Sequence, residues 1–130
     1  MRVVLDTHVL LWAVNDPEQL SPRVRALLRD VDNDLLMSVI SIWEILVKSQ
    51  KGKLPLTLDP HRWCEAAVEQ LGVQLLPLTL PIVARSRNLE SFDRDDPADR
   101  FILATAVIEG VPLVTRDGWL QGWSRVTTIW

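Results

Sequence analysis

The stretch Arg2-Val3-Val4-Leu5-Asp6 is a short apolar run that ends on an acidic residue. An uninterrupted apolar run of this length is typical of a parallel strand that helices cover on both faces. Thr7 to Val14 follows and has the apolar spacing of a helix. The chain therefore opens with a strand–helix unit, and its first acidic residue stands at the carboxyl end of the strand.

The same alternation continues along the chain, with helix caps and breakers between the elements. The predicted strands are 2–6, 35–38, 73–76, 112–115 and a possible fifth at 126–129; the predicted helices are 7–14, 22–28, 40–50, 60–71, 79–89 and 96–109; a loop is predicted at 91–96 and a turn at 116–118. Strands that alternate with helices indicate parallel β-α units with right-handed crossovers. The predicted fold is α/β, a three-layer α/β/α sandwich with a four- or five-stranded parallel sheet.

Length and composition favour one domain over residues 1–130. The hydrophobic fraction of 48% and the charged fraction of 24% are ordinary for a globular protein. A single cysteine, Cys64, excludes an internal disulfide and fits a reducing compartment. No secretory leader is recognisable, and no apolar run approaches the roughly 20 residues that span a bilayer. We therefore expect a cytoplasmic protein that does not enter a membrane.

The net charge of −3 is unlike that of most nucleic-acid-binding proteins, which usually carry a basic stripe. The basic residues are mainly arginines, however, and arginine suits bidentate recognition of phosphate. Removing four negative charges, as binding of four acids to metal would do, changes −3 to +1. The net charge therefore does not exclude a protein that binds nucleic acid.

Parallel α/β sheets bind their ligands at the carboxyl ends of the strands, where Asp6, Ser38, Thr115 and Asp117 are expected. Asp6 also suits the N-cap of the helix that follows it, and the two roles are compatible. Asp117 also suits a turn, since Gly118 follows it. Its strand is expected beside the first one, and adjacent parallel strands lie only about 4.8 Å apart.

Two further acids occupy predicted helices. Glu44 has an ordinary role available as an i,i+4 partner of Lys48, but it stands at the margin of an apolar face, where a carboxylate is costly without a partner. Asp96 and Asp99 resemble a capping box. Asp99 nevertheless shares its helix face with apolar residues such as Ile102, so we expect it to point toward the sheet.

Four acids that converge at one sheet edge would repel one another if they were unpaired. Hard divalent cations remove this repulsion, because Mg²⁺ binds carboxylate oxygens and two such ions can clamp a phosphoryl group. A zinc site is not indicated, since His8, His61 and Cys64 lack a zinc-ligand spacing. We interpret His61 and Cys64 as an ordinary exposed helix edge.

Four ordered motifs extend this pattern over nearly the whole chain. They are LDTHVLLW at 5–12, SVISIWEI at 38–45, DPADR at 96–100 and LVTRD at 113–117. Together they resemble the PIN domain, and most nearly its VapC type, the toxin of a bacterial or archaeal toxin–antitoxin pair. The resemblance implies a single PIN-like nuclease domain with Mg²⁺- or Mn²⁺-dependent endoribonuclease activity, which hydrolyses RNA phosphodiester bonds.

The resemblance also assigns residues and partners. The family's catalytic and metal-binding acids fall on Asp6, Glu44, Asp99 and Asp117, its polar residue near the metal falls on Thr115, and Asp96 either supports or replaces Asp99. The implied partners are an RNA substrate, a cognate VapB-like antitoxin and a second copy in a homodimer. The helix at 40–50 is more apolar than one sheet contact requires, so we expect part of it, extended by Trp12, to form a partner surface.

Basic side chains near these motifs are candidates for binding RNA phosphates, although a solvated charge is the commoner role for any single one. They are Arg85, Arg87, Arg94, Arg100 and Arg116.

Other readings of the strand-end acids fit less well. A phosphoacceptor receiver domain needs a lysine near its last strand, and no lysine follows Lys53. A haloacid-type phosphatase needs a second aspartate where His8 stands, and the chain has no glycine-rich phosphate loop. The alternative from another class is a non-catalytic partner-binding protein with a PIN fold, against which the four intact acids argue.

Overall fold

A five-stranded parallel sheet in the order β3-β2-β1-β4-β5 forms the centre of the computed structural model, which describes residues 1–56 and 58–130. The strands are β1 (Arg2–Leu5), β2 (Asp34–Ser38), β3 (Gln74–Leu76), β4 (Leu113–Val114) and β5 (Thr128–Ile129). β1 lies in the middle and pairs with β2 on one side and with β4 on the other. The predicted parallel α/β fold is confirmed, with five strands, although β4 and β5 are shorter than predicted.

The helices begin where the sequence supplies a capping side chain. They are α1 (Thr7–Asn15), α2 (Pro22–Arg29), α3 (Val39–Gln50), α4 (Pro60–Leu71), α5 (Leu80–Ser86), α6 (Pro97–Glu109) and α7 (Gly118–Gln121), with a 3₁₀ turn at Pro17–Gln19. Ser21, for example, accepts a hydrogen bond from the Val24 N–H and is followed by proline, which suits a first helical position. Gly72 and Gly110 end α4 and α6 in the left-handed conformation, which glycine adopts without steric cost.

The alternation of side chains along β1 separates the core into two layers. Val3 and Leu5 pack with α1 and α4, whereas Val4 packs with α6. All three side chains are fully buried, which stabilises the fold by roughly 1.5–3 kcal/mol for each large one. The three-layer sandwich is therefore confirmed, and a charged residue at any of these positions would break it.

The predicted helix at 79–89 is wrong at its end, because α5 stops at Ser86. The Ser86 hydroxyl donates to the Val83 carbonyl oxygen at 2.6 Å, a local bond that competes with helical hydrogen bonding. The chain then turns so that Leu89 and Phe92 become buried in the α6 layer. This turn sets the course of the 91–96 loop, which was predicted correctly and carries Arg94.

The interpretation of His61 and Cys64 as an exposed edge is wrong for the cysteine. Cys64 is buried in the α1/α4 layer beside Trp63, while His61 is exposed and lies 3.5 Å from Glu65. Burial raises the pKa of the Cys64 thiol, so it behaves as a small apolar core residue. Among the described residues, no helix is both long enough and apolar enough to cross a bilayer.

Candidate metal-binding and active site

Asp6 leaves the end of β1 and is almost fully buried, with 5% of its surface exposed. Its Oδ1 accepts the Thr7 backbone N–H at 2.7 Å, and its Oδ2 accepts the Thr115 hydroxyl at 2.7 Å. The predicted helix cap is therefore present. The other oxygen of the same carboxylate faces the end of β4.

Thr115 connects the ends of β1 and β4. Its buried hydroxyl donates to Asp6 and accepts the Asp117 backbone N–H at 3.0 Å. Asp117 in turn caps the short helix α7, since its Oδ1 accepts the N–H groups of Trp119 and Leu120 at 2.8 and 3.2 Å. The sequence predicted only a turn here, so α7 is an addition. The expected proximity of Asp117 to Asp6 follows from the pairing of β1 with β4.

Asp99 lies on the first turn of α6 and points toward the sheet, as predicted, with 9% of its surface exposed. Asp96 caps this helix by accepting the Asp99 backbone N–H at 3.0 Å. The capping role thus belongs to Asp96, and the Asp99 carboxylate is left to interact elsewhere. We call Asp6, Asp99 and Asp117 the acid cluster.

Arg94 bridges two members of the acid cluster. Its Nη1 lies 3.1 Å from Asp99 Oδ2 and 2.9 Å from Asp117 Oδ2. One guanidinium thus supplies the positive charge that these two carboxylates require. The sequence identified Arg94 only as a candidate for RNA phosphates, because its loop has no periodic pattern that places it beside the acids.

Electrostatics distinguish the two acids that Arg94 bridges. Burial, and then the charge of Asp96, raise the pKa of Asp99 to about 7, and the charges of Asp6 and Asp117 add to the rise while Arg94 opposes it. Burial also acts to raise the pKa of Asp117, but the Arg94 hydrogen bond and the α7 N–H groups outweigh it, so this pKa lies below its usual value. Of these two acids, Asp99 is therefore the one whose negative charge is less well compensated by its surroundings.

Glu44 lies on α3 and is half-buried. Its Oε2 lies 3.8 Å from Lys48 Nζ, so the expected i,i+4 pair is present. Burial lowers the pKa of His8, while Asp6, Asp117 and Glu44 oppose the change, so all three acids act on one imidazole. His8 Nε2 accepts the Arg116 N–H at 3.1 Å, which leaves the proton on Nδ1, 3.5 Å from Asp6 Oδ2.

The donor set suits a hard divalent cation, since it consists of carboxylate oxygens near a hydroxyl. In residues 1–56 and 58–130, no three acidic, histidine or cysteine side chains stand close enough to hold one ion in their present positions. In this structure the positive charge beside Asp99 and Asp117 comes from the Arg94 guanidinium. The chemistry of the donor set thus fits a divalent cation, and binding one would require these side chains to come closer together than they are.

Two sets of buried contacts that the sequence did not reveal hold the elements that carry the acids in place. Arg100 is buried and donates to the carbonyl oxygens of Ser86, Phe92 and Arg94, at 2.7, 3.2 and 3.1 Å. Its proposed role as a phosphate-binding residue is wrong for this reason. An arginine inside a helix that is apolar on nearly all sides was the available signal for burial.

The second buried contact joins α1 to α3. The Thr7 hydroxyl donates to Ser41 Oγ at 2.8 Å, and both side chains are buried. This bond fixes the helix that carries Glu44 against the helix that Asp6 caps. Arg85, Arg87 and Arg116 remain exposed, although Arg87 pairs with Asp95 and Arg116 stacks over Trp12.

The expected partner surface on α3 is smaller than predicted. Ile45 is fully buried, and Ile42 and Leu46 pack against the α1/α4 layer. Trp43 is the large apolar side chain on this helix that projects furthest, with 51% of its surface exposed. Trp12 does not simply extend the patch, because its ring packs against His8 at 4.6 Å.

With this geometry in view, comparison with known proteins identifies the fold family. The PIN domain profile matches residues 3–121. This chain belongs to the PIN-domain family. A curated relative, Ribonuclease VapC22 of Mycobacterium tuberculosis (strain ATCC 25618 / H37Rv), is 31% identical over 98% of both chains. The resemblance to VapC-type PIN domains that the four motifs indicate is confirmed.

Solved structures agree on the fold of this PIN domain. VapBC2 of Rickettsia felis, bound to a promoter DNA fragment, matches with a TM-score of 0.73 at 15% identity, covering 99% of this chain and 98% of that one. FitAcB of Neisseria gonorrhoeae matches with a TM-score of 0.66 at 24% identity, covering 98% and 96%. VapBC-5 of Mycobacterium tuberculosis, a member of a toxin–antitoxin family, matches with a TM-score of 0.63 at 23% identity, covering 98% and 97%.

Proposed function

We propose that this PIN domain is a Mg²⁺- or Mn²⁺-dependent endoribonuclease and the toxin of a toxin–antitoxin pair. The observation that carries the proposal is the acid cluster at the carboxyl ends of β1 and β4, where one guanidinium bridges two buried or half-buried carboxylates. The relationship to a ribonuclease named VapC22 over nearly the full chain supports the choice of RNA as substrate.

Asp6, Glu44, Asp99 and Asp117 would hold the cation, with Thr115 and Asp96 in support. A divalent cation bound there would neutralise charge on the scissile phosphate and lower the pKa of water. Thr115 fixes the direction of the Asp6 carboxylate, and Asp96 holds Asp99 by its backbone N–H. The Asp6 carboxylate thus has its orientation set by a neighbouring hydroxyl, as a preorganised site requires.

The chain's own residues also account for substrate binding near the acids. Arg94 is exposed enough to leave the cluster, since about a third of its side chain faces solvent. A guanidinium released from Asp99 and Asp117 would stand beside the scissile phosphate, where it forms bidentate bonds. Arg94 therefore exchanges a carboxylate partner for a phosphate partner when substrate and cation arrive together.

The test is cleavage of RNA by the purified protein, with the ends of the products sequenced. We expect cleavage with Mg²⁺ or Mn²⁺, and its loss both with chelator and in Asp6→Asn. The asparagine retains an Oδ1 for the Thr7 N–H, so the α1 cap survives and folding is expected to be normal. Cleavage that persists in Asp6→Asn, or in chelator, would assign the activity to another site.

We also propose a cognate VapB-like antitoxin and a homodimer as partners. VapBC complexes among the fold relatives support the antitoxin. An antitoxin segment would pack an apolar stretch against exposed Trp43 and place a basic or polar side chain near the acids. A positive charge from the antitoxin would compete with the cation, in the same way that Arg94 occupies Asp99 and Asp117.

A further inference from the structure

An aromatic groove opens beside the acid cluster, between α7 and the loop after Leu89. Its volume is about 420 Å³, and its walls include Phe92, Asp93, Gly118, Trp119 and Trp123. This volume lies within the usual range of small-ligand pockets. We infer that this groove, which we call the aromatic groove, binds one unpaired nucleobase of the RNA, stacked on Trp119. The inference rests on the proposed ribonuclease function and names a subsite for it.

The position of the groove relative to the acids is fixed by hydrogen bonds. The Trp119 backbone N–H donates to Asp117 Oδ1 at 2.8 Å, so the indole is carried by the turn that Asp117 caps. On the opposite wall, Asp93 directly precedes Arg94, which binds Asp117 and Asp99. A base in the groove would therefore belong to a nucleotide close to the scissile phosphate.

The groove has a fixed wall and an exposed stacking surface. Phe92 and Trp123 are buried and meet edge to face with ring centroids 6.0 Å apart, and Trp123 Nε1 donates to the Glu90 carbonyl oxygen at 2.9 Å. Trp119 differs from these two rings, because 61% of its surface is exposed, and it stands two residues after Asp117 of the acid cluster. A Cβ added at Gly118 would meet no atom within 4 Å, so the backbone there leaves room for a ligand.

The chemistry of the walls selects a base over a phosphate. None of the residues that line this groove is basic, and Asp93 contributes a carboxylate that would repel phosphate. Aromatic faces stack on any nucleobase, and a carboxylate accepts hydrogen bonds from amino and imino groups on a base edge. The fitting ligand is thus planar, neutral and rich in N–H donors, which describes an unpaired guanine, adenine or cytosine better than uracil.

The experiment measures RNA binding in the Asp6→Asn background, where we expect no cleavage. The probe is a fluorescein-labelled single-stranded RNA of about 12 nucleotides, and its anisotropy is followed in Mg²⁺ buffer. We expect Trp119→Ala to raise the Kd about 10-fold, and Trp119→Phe to remain within about 3-fold of the parent, since both aromatic rings stack. The matched control is Leu80→Ala, which removes another highly exposed apolar side chain that is not among those lining the groove.

A second series of probes separates stacking from a merely structural effect. Each probe replaces one base of the same RNA with an abasic site. At one position, the abasic substitution should weaken binding to the parent protein about 10-fold. The same substitution should have little further effect on binding to Trp119→Ala, because that variant already lacks the ring on which the base stacks. Thermal melting of each variant checks that the fold is intact.

The outcomes distinguish the groove from the function on which it rests. If the wild-type protein cleaves RNA but Trp119→Ala binds the probe like Leu80→Ala, the aromatic groove does not bind a base. If Trp119→Ala weakens only the binding of an antitoxin, the groove is a protein-docking surface and the inference is wrong. If the wild-type protein neither binds nor cleaves RNA, the ribonuclease proposal fails first and the subsite fails with it.

Discussion

Asp99 is the residue at which the conflict between fold and charge is greatest. Its folded-state pKa is raised to about 7 by burial and by neighbouring acids, against an ordinary value of 3.8. Between about pH 4 and pH 7, the folded protein therefore keeps a proton on Asp99 that the unfolded chain has already released. Without metal, the stability that this proton contributes is complete below about pH 4 and is lost as the pH rises through about 7.

Asp99→Asn isolates this contribution from that of His8, whose lowered pKa acts in the opposite sense below its ordinary value. We expect the metal-free variant to be as stable as the wild type near pH 4 and somewhat more stable at pH 8, with RNA cleavage lost at both. Urea unfolding at the two pH values measures the difference, and the control is Asp95→Asn, which changes an exposed acid on the loop before α6. A marked loss of stability in Asp99→Asn at pH 8 would show that the carboxylate is structural.

Arg94 has the complementary role, since it is the cation that the structure itself supplies to Asp99 and Asp117. Arg94→Gln leaves both carboxylates without this partner, so we expect a lower Tm in chelator. If divalent metal takes over the same charges, added Mn²⁺ should raise the Tm of this variant more than that of the wild type. Equal Mn²⁺ shifts in the two proteins would place the metal away from Asp99 and Asp117.

At the scale of elements, the ends of β1 and β4 are joined by one hydroxyl. Thr115 Oγ1 donates to Asp6 and accepts from the Asp117 N–H, and it is fully buried. Thr115→Val keeps the shape but removes both bonds, which should cost about 1–3 kcal/mol and reduce cleavage. Thr115→Ser should restore most of both quantities. Denaturant titration and cleavage rates test this, and a fully stable, fully active valine variant would contradict it.

The elements also show what local sequence can and cannot determine. The strand-end positions of Asp6 and Asp117 were predictable, because a buried parallel strand needs an apolar run and its carboxyl end is where a ligand site forms. The early end of α5 was not, since it depends on how Leu89 and Phe92 fit against α6. A three-residue difference there changes the course of the following loop.

The two arginines illustrate the same limit within the candidate site. Arg94 and Arg100 are equally polar in sequence, but one bridges carboxylates and the other holds three carbonyl oxygens of distant residues. Each set includes one partner that is far along the chain, Asp117 for Arg94 and Ser86 for Arg100. Their roles come from the way in which α5 and the following loop pack on α6. Residue spacing along the sequence does not predict this packing.

At the scale of the whole molecule, strand order explains why a protein of net charge −3 carries a concentrated acidic site. β1 lies between β2 and β4, so Asp6 stands at the centre of the sheet edge, with Asp117 beside it and α6 supplying Asp99 from one layer. Glu44 lies on α3, and its charge acts on His8 together with those of Asp6 and Asp117. Asp6 and Asp117 are separated by more than 100 residues in sequence and become neighbours through the pairing of β1 with β4.

The exposed surface of α3 supports the last prediction, which concerns partners. Leu46 and Ile42 pack partly against the core, so truncating them would also destabilise the fold. Trp43 is half exposed, so its truncation tests a partner surface with less effect on stability. We expect Trp43→Ala to weaken binding of the cognate antitoxin at least 10-fold, because buried tryptophans commonly dominate interfaces. Leu80→Ala, which is more exposed and lies on α5, should leave it unchanged.

Light scattering of the same proteins decides the homodimer separately. The wild type is expected to be a dimer at micromolar concentration, since exposed large apolar side chains such as Trp43 and Leu80 are commonly buried in interfaces. A wild-type monomer would remove the dimer from the proposal. Tight antitoxin binding by a folded Trp43→Ala variant would move the antitoxin surface off α3, and the aromatic groove beside Asp117 would then be the next exposed apolar surface to test.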